Sequence, residues 1–114
     1  MPQTPSIREE AEKALIVGVT DGDEEGSASL YEALQASKRP MDHPLPVLTE
    51  ALATIGWWLP VAEDKRAKAS GGMKLAYRLF ERQLENLMKS LDKGIMAKMH
   101  QNNMAERSYH NSGR

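Results

Sequence analysis

The residues with the clearest capacity for chemistry lie in one stretch, DGDEEGSASLYE, from Asp21 to Glu32. Asp21, Asp23, Glu25, Ser29 and Glu32 fall at the oxygen-ligand places of an EF-hand type calcium loop, with Gly26 where such a loop turns. Calcium needs that pattern because it is a hard cation that gathers many oxygen ligands in a flexible cage. The apolar support is absent: Ala28 stands where a large aliphatic residue normally ties the loop to its neighbour, and Ala33 follows Glu32. EF-hands pair, and the chain carries no second loop. The favoured alternative is a plain acidic turn that sets carboxylates near a helix N-terminus, where the helix dipole stabilises them. Neither a cofactor nor a metal is expected, and calcium remains the lesser reading.

Other chemistry is sparse. The sequence has no cysteine, which removes disulfides, thiolate metal sites and thiol nucleophiles. His43, His100 and His110 are scattered over a loop and a polar tail and form no recognisable constellation. Gly71-Gly72 lacks the preceding strand and the following Lys-Ser/Thr of a phosphate loop. A non-enzymatic protein is therefore expected.

The elements that must position these residues read as helices. At 114 residues, with few aromatics and frequent Met and Ala, the chain suits one small all-α domain: three short helices and a long C-terminal amphipathic one. Residues 1–6 read as a disordered lead, with Ser6 and Glu9 as a capping box for a first helix. That helix places Ile7, Ala11, Ala14, Leu15 and Val19 on its apolar stripe and stops near Asp21-Gly22. A second opens after Gly26, with Ser27 or Ser29 as cap and Leu30, Ala33 and Leu34 inward. KRPMDHPLP, with three prolines, reads as an extended loop. Leu45, Leu48, Ala51, Leu52 and Ile55 share one face of a third helix, for which Gly56 is a natural stop. These elements make a compact region, 7–61, followed by a polar linker, 62–72. In the long helix, 73–99, Phe80, Leu84, Leu87 and Leu91 form a stripe that needs cover from the other helices or from a second chain, as core or dimer seam. Residues 100–114 read as a polar tail.

The neighbours Trp57 and Trp58 point in different directions on any regular backbone, so one should pack while the other offers a partner-binding surface. Charge is also divided: Met1 to Leu34 holds eight acids and two bases, the remainder eight acids and thirteen bases. That asymmetry suits an anionic partner on the C-terminal side or head-to-tail contact between chains. The N-terminus lacks the features of a signal peptide, and no apolar run approaches the roughly twenty residues of a membrane span, so a cytoplasmic protein without a membrane partner is expected.

Ser29, Leu30, Tyr31, Ala33 and Leu34, then Pro40, then Leu48, Ala51, Leu52 and Gly56 resemble the second half of the helix-turn-helix domain of HigA-type antitoxins and related Xre/Cro-like regulators, over Ser27 to Val61. The loop from Pro40 to Leu45 is longer than the family pattern, and only Ile7 to Val19 stands for the two upstream helices. The resemblance implies a small DNA-binding regulator of antitoxin type. Ser27, Ser29, Tyr31 and Gln35 would then face duplex DNA, with Lys38, Arg39, Lys65, Arg66 and Lys68 on phosphates. The acidic cluster at Asp21, Asp23, Glu24 and Glu25 would repel DNA beside that surface. The competing expectation is a helical protein-interaction module, adaptor or inhibitor, that contacts its partner through the acidic N-terminal third and the tryptophans.

Overall fold

The computed structural model describes residues 7–112, with side chains to residue 103. Ser6 of the expected capping box, the rest of the lead and the last two residues lie outside it. The protein is all-α, with no strand among the described residues. Helix α1 spans Ile7–Thr20, α2 Glu24–Lys38, α3 Leu45–Lys68 and α4 Gly71–Ser112.

Local chemistry sets the boundaries. Helix α1 ends in a left-handed residue, Asp21 at φ 53°, and the amide of Gly22 reaches back to the carbonyl of Val17 at 3.1 Å. This closes the helix in the manner of a Schellman cap, with aspartate tolerating the conformation that glycine usually takes. Helix α2 then starts at Glu24 with Asp23 as N-cap, earlier than a cap at Ser27 or Ser29 allows. Glu24 and Glu25 in its first turn and Lys38 in its last both complement the helix dipole. The proline-rich connection is not wholly extended, because Pro40–Asp42 forms a 3-10 turn. Pro44 then caps α3.

Helix α3 departs most from expectation. It passes through Gly56, both tryptophans and Pro60 to Lys68, absorbing most of the expected linker and leaving only Ala69 and Ser70 before α4. A proline lacks the amide for one helical hydrogen bond and crowds the preceding turn. Packing overrides that cost here: Ile55 and Ala62, on either side of the expected break, have no exposure. The merged helix is long and apolar enough, by length and composition, to cross a membrane, which the sequence reading did not expect. Within the fold its Leu48, Ala51, Ile55 and Ala62 are buried.

Helices α3 and α4 form a hairpin with the largest interface in the molecule, α2 packs mainly on α3, and α1 touches the other three more lightly. The stripe on α4 is the spine of this core: Phe80, Leu84 and Leu91 are buried and Leu87 is partly so. The stripe is thus covered within one chain and is not a free dimer seam. At Gly94 a Cβ would lie 2.8 Å from the Pro40 Cβ, so only glycine lets α4 approach the 3-10 turn this closely. Neither Gly94 nor His100 ends the helix, whose backbone continues to Ser112 through the expected polar tail. At about 1.5 Å per residue α4 spans the long axis of a molecule measuring 66 × 39 × 22 Å.

Helix α1 is rotated from its expected register. Ile7 is 86% exposed, and Ala11 and Ala14 are also on the surface, while the buried face carries Glu12, Ile16, Val19 and Thr20.

Candidate functional site

Most of the expected DNA-contacting residues are engaged inside the protein. Lys38 pairs with Glu12 at 3.0 Å, Lys65 with Asp21, Arg66 with the buried Glu81, and Lys68 with Asp64 at 3.0 Å. The hydrogen bond that the Lys65 ammonium donates to the Asp21 carboxylate holds its pKa above the ordinary 10.5. Gln35 donates to Glu12 at 3.4 Å. Ser27 lies 2.6 Å from the Thr20 hydroxyl, which reaches the Ile16 carbonyl at 2.9 Å and so anchors α2 to the end of α1. Tyr31 carries the Lys13 ammonium 5.5 Å from its ring centroid. Ser29 and Arg39 remain on the surface. The connection of α1 to α2 through Asp21-Gly22-Asp23 has the length of a helix-turn-helix turn. Its second helix, however, opens on Glu24 and Glu25, the reverse of the charge that phosphates attract.

The calcium places are likewise divided. Glu25, Ser29 and Glu32 lie on α2 and are not part of a loop, while Asp21 is held by Lys65. A twelve-residue loop needs its ligands to wrap one point. Along a helix these side chains point outward in succession, and no group of three or more metal-ligating acids or histidines gathers among the described residues.

What the fold does bring together is a groove between α2 and α3. Two adjoining hollows, of about 180 and 400 Å³, share Ser29, Glu50 and Thr54. The first has an apolar floor of Ala33, Ala36, Ala51 and Val47, with Glu32 and Glu50 on its walls. The second is bounded by Asp23, Glu25, Trp57 and Trp58. Four carboxylates therefore border one channel, and no lysine, arginine or histidine lines either hollow. Helix periodicity explains the arrangement. Glu25, Ser29 and Glu32 are spaced by four and three along α2, and Glu50, Thr54 and Trp57 repeat that spacing along α3. Each set is one face, and the two faces meet.

The tryptophans diverge as neighbours on a helix must. Trp57 is 73% exposed, whereas Trp58 is half-buried beneath α2. A Cβ on Gly26 would lie 2.8 Å from the Trp58 ring, so this glycine sets how closely α2 approaches the indole. The sequence named Asp23, Glu25, Glu32 and Trp57 separately; it missed Glu50, which joins them only once α3 is laid beside α2.

Two further surfaces flank this one. A nearly apolar hollow of about 290 Å³ lies between α1 and α2, lined by Lys13, Ile16, Val17, Ser27, Ala28 and Tyr31. Near the α3–α4 connection, Arg66, Arg78 and Arg82 surround Glu81 and Glu85. No protein-family model, curated protein or solved structure matches the chain.

Proposed function

We propose that the protein is a non-catalytic helical interaction module that binds a basic amphipathic segment of a protein partner in the groove between α2 and α3. One observation carries this reading: Asp23, Glu25, Glu32 and Glu50 border an apolar-floored channel that ends at an exposed tryptophan and has no cation of its own. The apolar floor accepts one face of a helix, the carboxylates select its lysines and arginines and reject acidic competitors, and Trp57 supplies a large, rigid contact at little entropic cost. This reading takes up the adaptor or inhibitor role expected from the acidic N-terminal third and the tryptophans, and the groove supports it.

The test is titration of the protein with a lysine-rich amphipathic peptide while tryptophan emission is followed. Binding should be saturable, should weaken as salt is raised, and should be lost with a glutamate-rich peptide of the same apolar pattern. Trp57→Ala should cost about 2 kcal/mol of affinity, near thirtyfold, while leaving the melting temperature unchanged because the ring is solvent-exposed. Equal binding of both peptides, or of neither, would remove the proposal. A duplex that binds more tightly than the basic peptide, with a steep salt dependence, would restore the regulator reading.

A further inference from the structure

We infer that the occupant of this groove is the distal end of α4 from a second copy of the chain; the inference rests on the groove reading above and names its partner. Among the described side chains of α4, which end at Asn103, Gly94 is the last buried position; beyond it only Ile95 and Lys98 are even half-buried, and every residue from Met99 to Asn103 is exposed. Met96 is 70% exposed and Met99 51%. These two lie one turn apart, with Lys93 three residues before Met96 and His100 four after it, so they share a face with Lys89 behind them. This is an apolar and basic helical face with nothing on it. It complements the groove in both respects, because methionine side chains adapt to irregular hollows and lysines match the carboxylates. Asp92 is the one acid on that face between Lys89 and His100.

The arm cannot serve its own groove. The helix continues unbroken to Ser112, and the tight seat of Gly94 on Pro40 and Leu48 fixes its direction as it leaves the bundle. An arm directed away from its own groove fills the groove of another molecule. The contact joins two different surfaces, so it is head-to-tail: two copies can exchange arms, or further copies can add in series.

Complementation tests this. A chain with Met96→Asp and Met99→Asp keeps its groove and loses its arm; a chain with Glu25→Lys and Glu50→Lys keeps its arm and loses its groove. All four positions are exposed, so neither pair disturbs the core. By sedimentation velocity the unaltered protein should self-associate, each variant alone should be monomeric, and an equal mixture should form a one-to-one dimer that grows no further. Asp92→Lys should tighten self-association, by roughly tenfold or less for one added charge pair. A monomeric unaltered protein at millimolar concentration would overturn the inference. So would self-association of the groove variant, which would mean that arms pair with arms. If the mixture stays monomeric while the arm variant still binds the lysine-rich peptide, only the assignment of the occupant falls. If that variant binds no basic peptide, the groove reading falls with it.

Discussion

Glu12 is the residue on which the packing of three helices depends. Its carboxylate, with the side chain 9% exposed, accepts from Lys38 on α2 at 3.0 and 3.1 Å, from Gln35 at 3.4 Å and from Gln83 on α4 at 2.8 Å. A buried carboxylate is tolerated only when charge and hydrogen bonds replace its water. The two partners of the ion pair are not equivalent, since Lys38 keeps 39% of its side chain in solvent. Removing the acid lets the ammonium return to water; removing the ammonium strands the acid. Lys38→Ala should therefore destabilise by about 1–3 kcal/mol, and Glu12→Gln, which keeps an acceptor oxygen for Gln83, by less. Urea denaturation of the two variants checks the order, and a larger loss for Glu12→Gln would show that the Glu12 charge adds net stability instead of being a burial cost that Lys38 offsets. None of this was legible in the sequence. The partners of Glu12 lie 23, 26 and 71 residues away, and an isolated helix pattern assigns a glutamate to the outer face.

At the scale of the element, periodicity was legible where burial is continuous and failed where packing overrode a local signal. Phe80, Leu84 and Leu91 on α4 and Leu30, Ala33 and Leu34 on α2 are inward as their spacing requires. Gly56 and Pro60 are strong breakers in isolation, yet α3 runs through both because Ile55 and Ala62 each bury wholly. The groove was legible only in halves, since its walls belong to two helices that no sequence interval relates. Spacing alone treats Leu84 and Leu87 as equals, but the structure ranks them. Leu84 has no exposure and Leu87 is only partly buried, so Leu84→Ala should cost about 2–5 kcal/mol, Leu87→Ala less, and Arg82→Ala on the exposed face well under about 1. Thermal melts of the three variants provide the check; a Leu87 loss equal to that at Leu84 would mean a second layer covers Leu87 in solution.

For the whole molecule, the connection between α3 and α4 sets an order of assembly. Only Ala69 and Ser70 separate the two helices with the largest shared interface, whereas α1 contacts the other helices lightly, and its buried Glu12 finds its partners 23, 26 and 71 residues away. Closing a short loop costs little chain entropy, and folding routes favour contacts that are both local and extensive. The α3–α4 hairpin should therefore be the structured part of the folding transition state, with α1 docking after the barrier. Ile55→Val and Leu84→Ala should slow refolding in proportion to the stability they remove, whereas Ile16→Val and Val19→Ala should mainly speed unfolding. Stopped-flow kinetics in urea separates the two behaviours. A refolding rate that follows the α1 substitutions instead would place the nucleus at the other end of the chain. On this order, α2 and α3 come together once the hairpin exists, so the acidic channel is shaped late, while the helix that carries Met96 and Met99 belongs to the first unit to form.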